Sequence, residues 1–293
     1  MSFADRLIQQ IRAKDSRCIV GLDPRVDQMP AFVRGNGTYA AITAFHELVI
    51  DAVADLVPAV KPQLAFFEQY GVAGMQAFEN TVLAAKKRGL LVIADGKRND
   101  ISSTAEAYAN AYLGEGEFDC DALTVTPYLG RDSLEPFVKT CEKHGKGLFV
   151  ILKTSNPGSK DFEDQPLEST GRPLYEKIAG VIQELGDGLV GDSGYSSIGA
   201  VIGATFPEEG RRLRALMPKA LILVPGYGAQ GGSAQAAAEC FNNDGLGAVV
   251  NSSRGITYAF GDSDISRDAF VRSVRENTQR MIEDVNSAVS LAT

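Results

Sequence analysis

The stretch Asp95-Gly96-Lys97-Arg98-Asn99-Asp100 follows directly on the apolar run Leu90-Leu91-Val92-Ile93-Ala94. It sets two carboxylates and an ammonium where a buried strand should end. The run begins after Gly89 and does not alternate with polar residues, the pattern of a parallel strand covered on both faces. Side chains of an extended chain repeat every two positions, so Asp95 and Lys97 are expected on the same side. An ammonium held by carboxylates can stabilise developing negative charge and can also deliver a proton. Packing is a poor account of the motif, because lysine is rarely buried unless paired. Asp100 could act as a helix N-cap. Ser103 with Glu106 forms a better capping-box pattern, which predicts a helix from about Thr104 and leaves Asp100 in the connection.

A second group of residues suits an anion. Late in the chain, Pro225-Gly226-Tyr227-Gly228-Ala229-Gln230-Gly231-Gly232 precedes the helix-forming Ser233-Ala234-Gln235-Ala236-Ala237-Ala238, and Asn251-Ser252-Ser253-Arg254-Gly255 follows a later apolar run. Glycines let backbone N–H groups approach a phosphate closely, and a guanidinium adds a bidentate, permanently charged contact. A glycine-rich loop alone is more often a flexible turn. The partner Arg254 is what favours a phosphate site, with Gly226 and Gln230 on the loop.

The elements that must position these groups read as eight short apolar runs, near 18–23, 57–61, 90–95, 120–125, 147–153, 198–203, 220–225 and 246–252. Helical periodicity separates them at 40–55, 73–88, 104–113, 132–144, 173–185, 207–217, 233–241 and 266–289. Gly89 after Lys86-Lys87-Arg88 is a stop signal, combining last-turn cations with a C-terminal glycine. Eight alternating units over 293 residues predict a closed (β/α)8 TIM barrel as a single α/β domain, 1–293. An open doubly wound sheet is the alternative, but no G-x-G-x-x-G opens a helix after the first run, where Gly21-Leu22-Asp23-Pro24-Arg25 stands. In a barrel the C-terminal strand ends converge on the active site. Those ends carry Asp23, Lys61, Asp95 with Lys97, Thr124 with Thr126, Lys153 with Ser155, Gly226 with Gln230, and Arg254. The 154–171 segment is long for a βα connection and is expected to form a lid.

Composition narrows the function classes. A net charge of −8 and pI near 5.0 argue against a nucleic-acid polymer as partner. Hydrophobic content of 44% with 23% charged residues fits a globular chain with a sizeable core. Cys18, Cys120, Cys141 and Cys240 are far apart and form no C-x-x-C pair, as expected of reduced core thiols. No segment reads as a signal peptide or a membrane span, so a cytoplasmic location is expected. The only histidines, His46 and His144, lie in amphipathic helical segments, where packing or solvation is the ordinary role.

With Asp95-x-Lys97-x-x-Asp100, the Pro-Gly-x-Gly-Ala-Gln-Gly-Gly loop and Arg254, the chain closely resembles the orotidine 5′-phosphate decarboxylase family over nearly its whole length. Its length and the segment Thr124-Val125-Thr126-Pro127-Tyr128-Leu129-Gly130 resemble the longer bacterial group. The D-x-K-x-x-D motif is shared with phosphosugar decarboxylases and synthases of the same barrel suprafamily. Lys61 in Val60-Lys61-Pro62-Gln63 helps to separate them, because the magnesium-dependent relatives carry an acidic ligand near that strand end.

The resemblance implies decarboxylation of orotidine 5′-monophosphate to uridine 5′-monophosphate in de novo pyrimidine biosynthesis, with no cofactor and no metal. It implies that Lys97 donates the proton, that Asp95 sits beside the substrate carboxylate, and that Asp23 and Lys61 contact ribose hydroxyls and join the charged network. Asp100, Ile101 and Thr104 would reach into the neighbouring subunit's site, implying a homodimer. Ser155 would bind the pyrimidine, Gln230 would link the closing loop to phosphate, and Arg254 would hold the phosphate. A metal-assisted phosphosugar lyase on the same barrel and a catalytically silent nucleotide-binding barrel are the rival readings.

Overall fold

The computed structural model describes residues 1–228, 231–261 and 263–292. Eight parallel strands close into a barrel in sequence order: β1 (Cys18–Leu22), β2 (Ala59–Pro62), β3 (Leu91–Arg98), β4 (Ala122–Val125), β5 (Gly147–Lys153), β6 (Ser196–Ile202), β7 (Ala220–Val224) and β8 (Ala248–Ser252). Closure is made by β1 against β8, with Cys18 opposite Val250 and Val20 opposite Ser252. The expected TIM barrel is the observed one, and the open sheet is excluded.

The helices in chain order are α1 (Phe3–Lys14), α2 (Thr38–Val53), α3 (Leu64–Glu68), α4 (Gly71–Lys87), α5 (Ser102–Leu113), α6 (Arg131–His144), α7 (Leu174–Gly186), α8 (Pro207–Leu216), α9 (Ala234–Ala238), α10 (Arg254–Thr257) and α11 (Arg267–Ala292). The stop after Lys86-Lys87-Arg88 is a Schellman closure. Gly89 takes φ +75, its N–H bonds the Lys86 carbonyl, and the Leu90 N–H bonds the Ala85 carbonyl.

Two apolar layers result from strands whose residues alternate between the barrel axis and the helix ring. Most of the core lies in the ring, between the outer strand faces and α2 to α11. Inside the barrel, Ile19, Ala59, Ile93, Ala122, Phe149, Leu221 and Val249 pack together, and α1 covers them with Phe3, Leu7, Ile8 and Ile11. Phe3 meets Phe149 edge-on at 5.9 Å, in space that a side chain at Gly147 would occupy. This plug fills the N-terminal end and leaves chemistry to the other end. Residues 233–241 give the shorter helix α9, which the Ser233 hydroxyl caps at the Ala236 N–H.

The start of α5 differs from the capping-box expectation. The helix begins at Ser102 with Ile101 as N-cap and no side-chain cap, so Ser103 lies inside the first turn. Asp100 stays in the connection, where its Oδ1 accepts from the Ile101 N–H at 2.8 Å. All four cysteines are buried free thiols. No described helix is long and apolar enough to cross a membrane.

Candidate active site

The C-terminal ends of the strands surround a cleft of about 310 Å³, and the polar strand ends meet in it as the barrel rule requires. Asp23, Lys61, Asp95, Lys97, Ser155, Gly226 and Arg254 all line it. Asp100, Ile101 and Thr104 do not line it. They sit at the start of α5, with Ile101 51% exposed. Gln230 lies outside the described residues.

Asp95 is the hub. Its Oδ2 accepts from Lys61 Nζ at 2.7 Å and from Gln63 Nε2 at 2.8 Å, while its Oδ1 accepts from Lys97 Nζ at 2.7 Å and the Thr124 hydroxyl at 2.8 Å. Burial by itself would raise the Asp95 carboxyl, but the Lys61 and Lys97 ammoniums outweigh it and hold the group ionised well below the usual carboxylate range. Lys61 is at least as buried. Burial opposes its charge, and the carboxylates of Asp95 and Asp23 more than compensate, so its ammonium is held above the ordinary lysine value. Lys97 differs, because its side chain is 45% exposed toward the cleft and it bonds through one end of the hub only. An anchored cation with an open side can meet a substrate.

Local backbone explains the aim of Lys97. Asp95 and Lys97 do face one side, but not on a regular strand. Ala94 pairs with Leu123 and Arg98 with Val125, so β3 places four residues against two of β4, and Lys97 takes φ +46. A non-glycine residue in the left-handed region costs about 1 kcal/mol and persists where the surroundings over-determine it. Here the Lys97 N–H is held by the Thr124 hydroxyl at 2.9 Å. Gly96 packs where an added Cβ would stand 2.6 Å from the Leu64 side chain.

The opposite group of the cleft belongs to β7 and β8. Gly226 at φ +99, Gly228 at +72 and Gly231 at +88 take the left-handed turn geometry that glycine permits, and Gly232 N–H closes back on the Gly226 carbonyl at 3.0 Å. Arg254 begins α10 exposed to the cleft, and no described carboxylate pairs with it. Asp23 Oδ1, Asn251 Oδ1 and Ser253 Oγ are buried without a partner among the described residues. A ligand's hydroxyl or amide donors could satisfy the two carbonyl-type oxygens.

Gln63, Thr124 and Asn251 were not singled out from sequence as site residues, although Gln63 follows Lys61 by two, just past the end of β2, and Thr124 was noted at its strand end. The same period-two rule that grouped Asp95 with Lys97 would have found Gln63. Lys153, grouped with the strand ends, is turned away. Ile151 pairs with Val201 and Lys153 with Ile202, and this irregularity sends the lysine outward between α7 and the loop after β6.

A parallel (β/α)8 barrel whose strand ends hold an ammonium–carboxylate hub, beside a glycine loop and a guanidinium with no carboxylate partner among the described residues, is the architecture of a barrel enzyme with its site at the C-terminal face. The model of the orotidine 5′-phosphate decarboxylase / HUMPS family matches residues 16–265. The chain is 49% identical over 271 residues to an orotidine 5′-phosphate decarboxylase of Rhodopirellula baltica, covering 88% of this chain and 89% of that one. It is 40% identical to that of Caldicellulosiruptor saccharolyticus over 311 residues, covering 99% and 100%. The solved OMP decarboxylase of Leishmania donovani superposes with TM-score 0.79 at 31% identity, covering 99% of both chains. The chain belongs to the orotidine 5′-phosphate decarboxylase family, and is thereby an enzyme of the carboxy-lyase class.

Proposed function

We propose that the chain converts orotidine 5′-monophosphate to uridine 5′-monophosphate and CO₂, without a cofactor, in de novo pyrimidine biosynthesis, and that Lys97 carries the reaction. Loss of CO₂ from C6 leaves an electron pair in an in-plane orbital that the ring cannot delocalise. Charge of that kind needs an external cation already in place. The Lys97 ammonium, fixed by Asp95 at 2.7 Å with Lys61 behind it, is such a cation, and it then passes its proton to C6. That three-residue hub is the observation that carries the reading.

The other roles are carried over from the family resemblance. Asp95 lies beside the substrate carboxylate, so departure of CO₂ relieves repulsion there; this is secondary to stabilising the anion. Asp23 and Lys61 hold ribose hydroxyls. Ser155 meets the pyrimidine, and Gly226, Gln230 and Arg254 take the phosphate. Binding energy gathered at the phosphate offsets the cost of closing and drying the pyrimidine end. Half-buried Asp100 and exposed Ile101 and Thr104, all outside their own chain's cleft, serve the site of a second copy in a homodimer. A cytoplasmic setting suits four buried free thiols.

A Schiff base at Lys97 is disfavoured, since its Nζ is already engaged by the Asp95 carboxylate at 2.7 Å. A metal-assisted phosphosugar lyase is disfavoured by Lys61, a cation held at the strand end where such an enzyme needs an acid. The test is the loss of orotidylate absorbance in cofactor-free buffer with excess EDTA. Full turnover is expected; no turnover, or turnover only on adding a divalent ion, would overturn the reading.

A further inference from the structure

Lys153 is fully buried and lies outside the cleft, yet its surroundings connect it to the cleft wall. Its ammonium sits 2.5 Å from Asp164 Oδ1 and 3.4 Å from both Glu163 Oε2 and the Ser159 hydroxyl. Phe206 and Tyr175 flank it, with ring centroids 4.7 and 5.6 Å away. Asp164, Glu163 and Ser159 all belong to the long segment after β5, so the strand end grips the far part of its own loop. Glu163 then reaches back: its carboxylate accepts from the Thr154 N–H at 3.0 Å and from the Thr154 hydroxyl at 2.7 Å. Thr154, Ser155 and Asn156 line the cleft. On the other side Ser155 abuts Gly203, where an added Cβ would lie 3.0 Å from the Ser155 Cβ.

We infer that Lys153, through Glu163 and Asp164, is a positioning residue that sets the Thr154-Ser155-Asn156 wall for the pyrimidine end of the substrate. The inference rests on the proposed substrate. A buried ammonium needs its carboxylates, and the carboxylates need the loop folded back, so one ion-pair cluster couples the loop's fold to the shape of the wall. The cluster does not touch the phosphate group of residues, Gly226 and Arg254. Its effect is therefore confined to one end of the ligand.

That confinement is what the experiment reads. Glu163→Ala removes the acceptor that holds Thr154, and Lys153→Met removes the grip on the loop. Because Glu163 sits on a partly exposed loop with side-chain exposure of 18%, its variant decides the matter if Lys153→Met does not fold. Uridine 5′-monophosphate and ribose 5-phosphate are the two probes, with binding measured calorimetrically. Expected are a Kd for uridine 5′-monophosphate and a KM for orotidylate weakened about ten-fold, a kcat changed less than about three-fold, and ribose 5-phosphate affinity unchanged. Glu163→Gln, which keeps an acceptor for Thr154, should restore most of the loss. Equal weakening of both probes, or no weakening of either, would overturn the inference. If wild-type protein fails to turn over orotidylate, the functional reading fails by itself, while the comparison of the two probes still reports on the wall.

Discussion

The Lys97 backbone N–H donates to the Thr124 hydroxyl at 2.9 Å, and that same hydroxyl donates to Asp95 Oδ1 at 2.8 Å. One buried threonine of β4 thus holds the left-handed turn that aims Lys97 and also one oxygen of the carboxylate that anchors its ammonium. Thr124→Val keeps the volume and deletes both bonds, leaving a donor unsatisfied at a strained residue. We expect kcat to fall about ten- to hundred-fold with KM changed far less, and Thr124→Ser to stay near wild type. Steady-state kinetics of the two variants check this. Loss in Thr124→Ser with activity kept in Thr124→Val would mean that the methyl group, rather than the hydroxyl, matters.

Much of the site was legible because charged side chains at strand ends follow a short-range rule. The spacing of two in Asp95-x-Lys97 needs only one strand, and a closed barrel then brings Lys61 and Asp23 from β2 and β1 beside it. Thr124 was harder to rank. A strand-end threonine is common, and what makes this one matter is the irregular pairing of β3 with β4, which depends on contacts between strands that no local pattern encodes. Lys153 shows the same limit from the other side. Its position two after Ile151 predicts a shared face, and a break in register between β5 and β6 reverses it. The Ser103 capping box failed for a related reason: the chain enters α5 through a left-handed Ser102 at φ +49, one residue before the pattern starts. The plug role of helix α1 has no local signature, because its partners are the inner faces of β-strands distributed over the whole chain.

His46, buried between Phe45 and Phe67 with ring centroids 5.6 and 5.3 Å away, gives the fold a pH dependence separate from the site. Its Nδ1 lies 3.1 Å from the Thr81 hydroxyl, which itself donates to the Ala77 carbonyl, so the ring nitrogen is the donor there. Nε2 is buried without a partner among the described residues, as a neutral ring allows. Burial lowers the group from 6.5 to about 3. The unfolded chain therefore binds the extra proton first. The stabilisation is complete above the ordinary histidine value and is lost as pH falls from there toward the folded value, at a slope of at most about 1.4 kcal/mol per unit. Urea unfolding at pH 7 and pH 5 should show a drop for wild type that is smaller by about 2 kcal/mol in His46→Phe. An identical drop in both would remove His46 as the cause.

Asp100 and Lys97 lie three residues apart, yet only Lys97 lines its own chain's cleft, while Asp100 spends its carboxylate on the Ile101 N–H beside exposed Thr104. If Asp100 completes the hub of a second copy, each site takes Lys97 from one chain and Asp100 from the other. Lys97→Ala and Asp100→Ala homodimers should both be close to inactive while still binding uridine 5′-monophosphate. Mixing the two chains under conditions that allow exchange creates dimers with one intact site. For random pairing in a two-fold dimer, activity should recover to about a quarter of the wild-type value per chain. Titrating one variant into the other and following orotidylate absorbance gives the recovery directly. A flat titration, with exchange verified by mass, would place Asp100 in the site of its own chain or in none.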